Sequence, residues 1–514
     1  MTAYLTQPTQ DEFTSARAHL ETLIAQLGSD EATTMTHAAL EELVTREGRE
    51  LQRRLAQGHF DLRAAREAAR SSLLGADNVE RTHRRQRSRP LVTVFGKVTA
   101  LRWTYGARGH SGLSPLDAAL NLPEELYSHG LRHLAAVEAA RGSFDQAVLA
   151  IARATGVCLP KRQLEQLAAR AAVDFDAFYD GAVAEPAQPG DLLVLTLDNK
   201  GIVMRHEHLR PATQQKADAS QHKLPRRLSK GEKRNRKRMA TVAAVYDQLP
   251  YVRVPADIFA ELRPVRDAAT PRPRAKNKRV WARVDKSAEE VTAEVFAEAQ
   301  RRDPQHQRRW VALVDGDRHQ IARVRAAARR QGVEVTLVVD FIHVLEYLWK
   351  AAWCFFDEGD RAADAWVAER ARWILEGRSG AVAGGIRRGA TRRGLAASAR
   401  TGVDECASYL ISKRRMLRYD DYLRAGLPIA TGVIEGACRH LVNDRMDITG
   451  ARWSVGGAEA VLRLRSLRSS GDFDAYWNFH LEAEHRRHHV SRYADQASPT
   501  APMMLRLIRG GASS

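Results

Sequence analysis

The chain has 514 residues, a length that predicts roughly two to four domains because a single hydrophobic core does not grow to this size. Lysine and arginine number 80 against 62 aspartates and glutamates, which leaves a formal net charge of +18. This excess favours a polyanionic partner over a small metabolite.

The cysteines and the apolar segments predict a cytoplasmic protein that does not enter a membrane. The four cysteines lie far apart and form no CxxC pair, which argues against a disulfide framework and a structural zinc site. The first residues lack the basic and apolar regions of a signal peptide. The longest apolar stretch is interrupted by Asp340, His343 and Glu346, so it is not a simple membrane span.

The N-terminal region is expected to be mainly helical. Apolar residues recur at helical spacing over residues 11–75. Residues 89–109 instead alternate apolar and polar side chains around Gly96, which predicts a β-hairpin. We therefore expect a helical region over 1–87 and a second region over 88–182 that opens with the hairpin.

Residues 142–180 predict two helices with a break from Gly156 to Pro160 between them. If this pair is a DNA-binding helix-turn-helix, its second helix presents Arg162, Gln163 and Gln166 to base edges. An ordinary helical hairpin gives the same pattern. Both interpretations stay open at this point.

After residue 190 the pattern changes to alternating strands and helices, which predicts an α/β core. The predicted order is a strand that ends at Asp198, a second over MATVAAVYDQ, a third in YVRVPADIFAE, a helix over SAEEVTAEVFAEAQRR, a strand that ends at Asp315, a helix over IARVRAAARRQG, and a strand that ends at Asp340 and leads into a helix. This is the order of an RNase H-type mixed sheet. Its first and fourth strands are neighbours, so Asp198 and Asp315 would meet at one end.

Two carboxylates at the ends of adjacent strands repel each other unless a cation lies between them. Mg²⁺, or Mn²⁺ in its place, suits such oxygen ligands. With two such ions about 4 Å apart, one activates the attacking water or 3′-hydroxyl and the other stabilises the leaving oxygen at phosphorus. A third carboxylate is needed to complete the site.

The third carboxylate is expected at Glu435, just inside a predicted helix that follows Gly432. At this point the chain resembles the bacterial insertion-sequence transposases of the ISKra type, which are DDE transposases with an RNase H-like core. The matching segments are SPLDAALNLPEELYSHGLRHLAAVEAARGSFDQA, LDNKG with MRHEHLR, VDGDRHQ, VVDFIHVLEYLW, and GVIEGACRHLVNDRM with TGARWS. The resemblance covers roughly residues 88–490.

The resemblance implies that the family's catalytic and metal-binding triad falls on Asp198, Asp315 and Glu435. Asp340 is an alternative to Asp315, because it also ends a strand and precedes His343 by three residues. We prefer Asp315, since its strand should lie beside the first one. Asp340 and His343 would then contact the metal-binding residues and not the metal, or, in the case of His343 alone, contact DNA. Aspartates at strand ends also serve simply as turn formers or helix caps.

Basic segments are expected to hold the DNA. Residues 222–239, HKLPRRLSKGEKRNRKRM, carry nine lysines or arginines and one acid, which predicts a solvated loop that tracks phosphates. The predicted DNA contacts outside the helix pair are Arg234, Arg236, Lys237, Arg238, Arg439, Arg445 and Trp453. Further candidates to clamp a flipped base or the end of a DNA strand are Trp453, Arg463, Arg465 and Arg468. A tryptophan is more often buried in the core than exposed to DNA.

The expected organisation is a core over 191–345 and 426–490, a helical insertion over 346–425, and a tail over 491–514. The expected function is that of a transposase that binds terminal inverted repeats, cleaves the DNA strand and joins its 3′ end to target DNA. We expect a homo-oligomer on DNA, in the cytoplasm with the nucleoid. Two alternatives stay open: a catalytically inactive, transposase-derived DNA-binding regulator, and a structure-selective nuclease on the RNase H fold.

Overall fold

The computed structural model describes residues 11–183, 190–219, 236–262, 273–430, 432–448 and 450–494. The chain divides into two compact units: one within Met1–Asp180 and Phe473–Ser514, the other within Gly181–Asp472. The segment from Phe473 onwards is therefore grouped with the N-terminal region, whereas the sequence predicted that residues 426–490 form one part of the core. In the described part of the chain, no helix is long and apolar enough to cross a membrane.

The elements of the described residues follow in chain order. The helices are α1 (Thr14–Leu27), α2 (Asp30–Thr33), α3 (His37–Ala65), α4 (Pro115–Ala119), α5 (His129–Arg141), α6 (Phe144–Thr155), α7 (Lys161–Arg170), α8 (Phe175–Asp180), α9 (Pro211–Asp218), α10 (Pro255–Leu262), α11 (Ala288–Arg302), α12 (Arg318–Gln331), α13 (Phe341–Ala352), α14 (Arg361–Leu375), α15 (Ser379–Arg392), α16 (Thr401–Lys413), α17 (Tyr419–Arg424), α18 (Gly432–Ala437), α19 (Asp444–Met446), α20 (Val455–Ser470) and α21 (Phe473–His488). The strands are β1 (Leu73–Leu74), β2 (Glu80–Arg81), β3 (His83–Thr93), β4 (Gly96–Gly106), β5 (Leu192–Val203), β6 (Lys237–Gln248), β7 (Lys276–Arg283), β8 (Trp310–Val314) and β9 (Val335–Val339). A π-helical turn, Cys438–Asn443, joins α18 to α19.

β3 and β4 form the predicted β-hairpin. Their register pairs His83 with Gly106 at one end and Thr93 with Gly96 at the other, so the hairpin begins earlier than predicted. Gly96 has a φ of +117°, a conformation that residues with a Cβ rarely adopt, and this allows the tight turn. The half of the hairpin near the turn packs into the core through Leu91 and its neighbours. In the outer half β3 is exposed, whereas β4 is partly buried and its Tyr105 belongs to a second core cluster.

The two helices predicted around residues 142–180 are confirmed as α6 and α7, which pack with α5 into a three-helix unit. Ser143 and Gln146 form a capping box that begins α6, and Gly156, with φ +76°, ends it. Apolar side chains from all three helices share one core: Leu131, Ala135, Ala147, Ile151, Leu164 and Leu167.

The second unit is built on a mixed sheet, which has five strands within the described residues, in the order β7-β6-β5-β8-β9. β5 is antiparallel to β6 and β6 to β7, whereas β5, β8 and β9 run parallel. The predicted α/β class and the predicted adjacency of the first and fourth strands are thus confirmed. β8 is buried along its whole length, as expected for a strand covered on both faces.

The prediction of a third strand in YVRVPADIFAE is wrong. Residues 251–254 form no strand and Pro255 opens α10. A proline has no N–H and a fixed φ, so it suits the first turn of a helix better than a sheet. The third strand is β7, whose sequence, KNKRVWAR, is basic in its first half. Its pattern was hidden because only its second half, Val280–Arg283, is buried.

The prediction that the first strand ends at Asp198 is also wrong, since β5 continues to Val203. Its antiparallel partner β6 begins at Lys237, so the last residues of the basic run 222–239 form a strand and not a loop. The parallel pairing of β5 with β8, however, stops at Thr196. Asp198 therefore lies within β5 but just beyond the end of its neighbour β8.

Between β9 and residue 425 the chain is helical, from α13 to α17, as predicted for the insertion. α13 packs against α14 and α16. The rings of Tyr347 on α13 and Tyr409 on α16 stack with their centroids 4.0 Å apart. These helices therefore pack on one another directly after the last strand of the sheet.

Glu298 on α11 connects this helix to β7. Arg302 donates Nε to Glu298 Oε1 at 2.7 Å, and Arg279 and Arg301 also pair with the carboxylate. Burial by itself would raise the pKa of Glu298, but the three arginines outweigh it and lower the pKa from 4.5 to about 2. The carboxylate is therefore ionised in the folded protein at neutral pH.

We expect Glu298→Gln to lower the free energy of unfolding by about 3 kcal/mol near neutral pH, because it leaves buried arginines without their counter-charge. Since the folded-state pKa is lowered, this stabilisation is present above about pH 4.5 and is lost as the pH falls towards 2. Urea unfolding at about pH 7 and about pH 3 measures the difference. Glu289→Gln, whose side chain is 68% exposed on the same helix, is the control. An equal loss at both pH values would contradict the prediction.

Candidate active site

A cavity of about 220 Å³ lies where the parallel pairing of β5 and β8 ends. The structure brings the predicted Asp198, Asp315 and Glu435 together in its wall, with Asp340 and His343 beside them. Other polar side chains that line it are Lys200, Glu346, Cys438, Arg439 and Asn443. The three members of the predicted triad come from a strand, from the residue after a strand, and from a helix.

Asp198 is held by its neighbours in β5 and by the π-helical turn. Its Oδ1 accepts a hydrogen bond from the backbone N of Asn199 at 2.6 Å. Its Oδ2 lies 2.9 Å from Lys200 Nζ and accepts a hydrogen bond from Cys438 Sγ at 3.2 Å. The carboxylate therefore has a counter-charge within its own strand.

Lys200 and Cys438 respond oppositely to the charge on Asp198. Burial by itself would lower the pKa of Lys200, but the hydrogen bond to Asp198 and its negative charge outweigh burial and raise the pKa. Burial and the same carboxylate raise the pKa of the Cys438 thiol well above its usual range. Lys200 is therefore a cation in this site, and Cys438 is a neutral thiol that donates a hydrogen bond.

Asp315 is positioned by the turn between β8 and α12. Its Oδ1 accepts a hydrogen bond from the backbone N of Asp317 at 2.7 Å, and Gly316 has a φ of +93°. Tyr409 donates its hydroxyl to the backbone O of Asp315 at 2.9 Å. Burial raises the pKa of Tyr409, so this hydroxyl stays protonated and keeps donating. α16 of the helical segment thus fixes the backbone at this carboxylate.

Gln320 is a positioning residue that the sequence did not identify. Its Nε2 donates to Leu197 O at 2.7 Å, and its Oε1 accepts from Asp315 N at 3.1 Å. The side chain is buried and joins the backbone beside Asp198 to that of Asp315. Gln320 belongs to the VDGDRHQ segment and lies in the first turn of α12. A polar residue on the buried face of that turn was the sequence feature that could have identified it.

Asp340 has the geometry of a helix cap. Its Oδ1 accepts a hydrogen bond from Ile342 N at 2.8 Å at the start of α13, and the residue is only 4% exposed. Its backbone N donates to Val314 O at 2.8 Å. His343, one turn along α13, lies 3.1 Å through Nδ1 from Glu346 Oε2. The capping interpretation left open for strand-end aspartates therefore applies to Asp340.

Glu435 lies in the first turn of α18, as predicted, and its side chain is exposed. Arg439, four residues later, falls in the π-helical turn and is 75% exposed. Both line the cavity. Arg439 Nε is 3.7 Å from Asp444 Oδ1, a distance that leaves the guanidinium available to an anion in the cavity.

The donor types in this cavity fit Mg²⁺ or Mn²⁺, since such ions take carboxylate oxygens and Mg²⁺ needs only one or two of them. Within the described ranges, however, no group of three or more His, Cys, Asp or Glu side chains is arranged to hold a metal ion. Asp198 Oδ2 is instead paired with Lys200 Nζ. A site built from all three predicted carboxylates therefore requires their side chains to move closer together.

Arg445 and Trp453, which were predicted to contact DNA, are both buried. Arg445 is 2% exposed and its guanidinium lies 4.8 Å from the centre of the Trp453 ring. Trp453 donates Nε1 to Met446 O at 3.0 Å, and its backbone pairs with the end of β5. Burial and the neighbouring Arg465 lower the pKa of Arg445 to about 10. Both side chains belong to the core beneath the π-helical turn.

The arginines of α20 also have structural contacts. Arg463 Nε pairs with Glu459 Oε1 at 3.2 Å. Arg465 Nε donates to Leu441 O at 3.1 Å. These contacts tie α20 to itself and to the π-helical turn, whereas Arg468 is exposed.

The basic run is only partly described. Arg234 lies outside the described residues, and Arg236 and Lys237 are partly exposed at the start of β6. Arg238 donates Nε to Val284 O at 2.8 Å, and burial, followed by the charge of Arg210, lowers its pKa. Arg238 therefore has a structural contact at the end of β7.

On α7, Arg162 and Gln166 are exposed and Gln163 is partly exposed. The two glutamines line a cleft of about 540 Å³ together with Glu124 and Glu125. Arg170 also lines the cleft and forms an ion pair with Glu125. Amide side chains remain able to meet base edges, which carry donors and acceptors and no net charge.

The polar lining of the 220 Å³ cavity is the feature of the second unit that points most directly to chemistry. Carboxylates meet a lysine, an arginine and an amide there. Neither models of known protein families nor curated proteins match the chain.

Proposed function

We propose that the chain is a DNA transposase of the DDE type with an RNase H-like core. It binds the terminal inverted repeats of its element, cleaves the DNA strand and joins the 3′ end to target DNA, as a homo-oligomer on DNA. The strand order β7-β6-β5-β8-β9, antiparallel on one side of β5 and parallel on the other, supports this core. The net charge of +18 supports a polyanionic substrate.

The observation that carries the proposal is the convergence of Asp198, Asp315 and Glu435 on one cavity. They are 237 residues apart along the chain from first to last, and only the sheet and α18 bring them to one place. Carboxylates gathered beside a lysine and an exposed arginine suit a site where a metal-bound phosphodiester reacts.

In this proposal Asp198, Asp315 and Glu435 hold Mg²⁺ or Mn²⁺, which when bound supplies an activated oxygen nucleophile and stabilises the leaving oxygen. Lys200 neutralises Asp198 until the substrate arrives, and its ammonium is then free to contact a phosphate oxygen. Arg439, exposed at the cavity edge, orients the phosphate. Gln320 and Tyr409 keep the backbone of Asp315 in place.

The proposal is tested by a cleavage and joining assay with the purified protein. The substrate is a duplex that carries the inverted-repeat ends, found by sequencing the DNA that flanks the gene, and the controls are a shuffled duplex and a four-way junction. We expect cleavage at the repeat ends and strand transfer only with Mg²⁺ or Mn²⁺ present. Repeat binding without cleavage under any condition would instead indicate a regulator, and preferred cleavage of the junction a nuclease.

Changing Arg162 and Gln166 together to alanine should weaken binding to repeat ends by about tenfold or more, with a smaller loss on random DNA. The reason is that exposed side chains on a recognition helix distinguish bases, and each such contact contributes about 1–3 kcal/mol. Fluorescence anisotropy with both duplexes measures the ratio. Arg153→Ala, which removes an exposed charge from α6, is the control and should affect both duplexes equally. If the double variant lost equal affinity for repeat ends and for random DNA, the helix pair would have only a structural role.

A further inference from the structure

A second cavity, of about 690 Å³, lies within the first unit. The outer half of the β3–β4 hairpin forms one side of it. The loop before α4 and the end of α21 with the turn that follows form the other sides. The arginines that line it come from both chain segments of this unit: Arg87, Arg89, Arg102, Arg487 and Arg492.

The hairpin register explains how these arginines come together. Arg87 is paired directly with Arg102, so both side chains leave the same face of the hairpin. Arg89 follows two residues later and shares this face. Further along the same face Leu91 and Val98 enter the core, which fixes the direction in which the arginines point. Like charges directly opposite each other in a sheet are destabilising, and the carboxylate of Asp117, which accepts a hydrogen bond from Arg102 Nε, offsets this only for Arg102.

The acids of this cavity do not neutralise it. The lining contains five arginines and two carboxylates, and one of the arginines, Arg487, pairs with Asp174 and Glu484 outside the lining. Of the two lining carboxylates, Asp117 accepts hydrogen bonds from both Arg89 Nη1 and Arg102 Nε, each at 2.9 Å. Arg492 donates to the backbone O of Gly112 at 2.7 Å, and a carbonyl carries no net charge. Positive charge is therefore in excess in a partly enclosed space.

The chemistry of the lining suits a phosphate group. Guanidinium groups bind phosphate oxygens with two parallel hydrogen bonds and stay charged at any physiological pH. Cavities of about 300–1,000 Å³ accept ligands of nucleotide size. A two-stranded ribbon with exposed arginines is also a shape that can lie along duplex DNA.

We propose that this arginine cavity, bounded by Arg87, Arg102 and Arg492, binds phosphate groups and that the DNA backbone supplies them. Phosphate binding follows from the lining itself. That DNA is the source rests on the proposed function. The hairpin then anchors the first unit to the sugar-phosphate backbone, independently of any base contact made by α7.

The test uses the full-length protein in EDTA, so that no cleavage occurs, and a duplex of random sequence. Its affinity is measured over a range of salt concentrations for the wild type, Arg87→Gln and Lys97→Gln. Lys97 is exposed on the opposite face of the same hairpin and is the matched control for the lost charge. We expect Arg87→Gln to reduce the log-log salt slope by about 0.9 for the phosphate contact that is lost, and Lys97→Gln to leave it unchanged.

A second measurement distinguishes a free phosphate from DNA. The melting temperatures of the wild type and Arg87→Gln are compared in sodium phosphate and in sodium chloride of equal ionic strength. Without phosphate the two should melt alike, or the variant slightly higher, because Arg87→Gln removes the like-charge pair with Arg102. Stabilisation of the wild type alone by phosphate, with an unchanged DNA salt slope, would keep the phosphate site but overturn DNA as its source.

Equal effects of Arg87→Gln and Lys97→Gln on DNA binding, together with no specific stabilisation by phosphate, would overturn the proposal. These readouts need no catalysis. Failure of the cleavage assay would therefore disprove the transposase proposal and leave the phosphate site intact. Conversely, cleavage of repeat ends without any effect of Arg87→Gln would disprove the phosphate site and leave the transposase proposal intact.

Discussion

Replacing Glu435 by glutamine should lower strand cleavage and strand transfer by a factor on the order of 10² or more, while binding to repeat ends is retained. Glu435 is exposed in the first turn of α18 and lines the cavity with Asp198 and Asp315. Glutamine keeps the shape of the side chain and removes its charge. The loss should therefore appear in kcat, because the charge acts on the reacting phosphate and not on the bound DNA as a whole.

Glu346→Gln is the matched control for this prediction. Glu346 lines the same cavity, has a side chain that is 60% exposed, and pairs with His343. It is not a member of the proposed triad, so its variant should cleave at close to the wild-type rate. Single-turnover cleavage and gel-shift binding with each variant separate chemistry from DNA affinity. The triad would be abandoned if Glu435→Gln cleaved repeat ends as fast as the wild type.

Asp315→Asn should abolish cleavage to a similar degree, whereas Asp340→Asn should cost much less. Asparagine suits both positions structurally, since it forms the same turn after β8 and is as good a helix cap as aspartate at the start of α13. The Asp340 side chain already caps Ile342, while Asp315 stands in the turn beside β5. Both variants keep the local turn or helix cap, so the comparison tests only the effect of the negative charge on cleavage.

Rates of cleavage at saturating DNA, with melting temperatures as a folding check, decide between the two aspartates. A large loss in Asp340→Asn together with near-normal cleavage in Asp315→Asn would move the second carboxylate of the triad to Asp340. A large loss in both would mean that the two residues act on the same site, which their shared cavity allows.

The local elements were predictable where one pattern dominated. The helix over Ala288–Arg302 begins at a capping box of Ser287 and Glu290, and β8 is a short apolar run before a turn. β7 was missed because half of it is charged and exposed, which removes the apolar signal. The end of β5 was misplaced because Asn199 and Gly201 look like a break, although the partner strand β6 continues the pairing beyond them.

The DNA-contact predictions show the same limit for single side chains. Arg445 and Trp453 lie eight residues apart in the sequence, yet they stack in the core. Residue type alone does not distinguish an arginine that meets solvent from one that lies over a buried ring, because both uses of the guanidinium are favourable. The like-charge pair of Arg87 and Arg102 was equally hidden, since only the hairpin register places them opposite each other.

The sequence by itself determined the basic character of the chain, the α/β class of the second unit, and the helix pair and hairpin of the first, because these depend on composition and on short periodic patterns. The choice of Asp198, Asp315 and Glu435 as candidate residues rested on the family resemblance as well. The tertiary structure decided that the three carboxylates share one cavity, that Lys200 neutralises Asp198, that Asp340 caps a helix, and that Gln320 links β5 to the turn after β8. Each of these is a contact set by strand order, register or helix packing, and such contacts join residues that no local pattern connects.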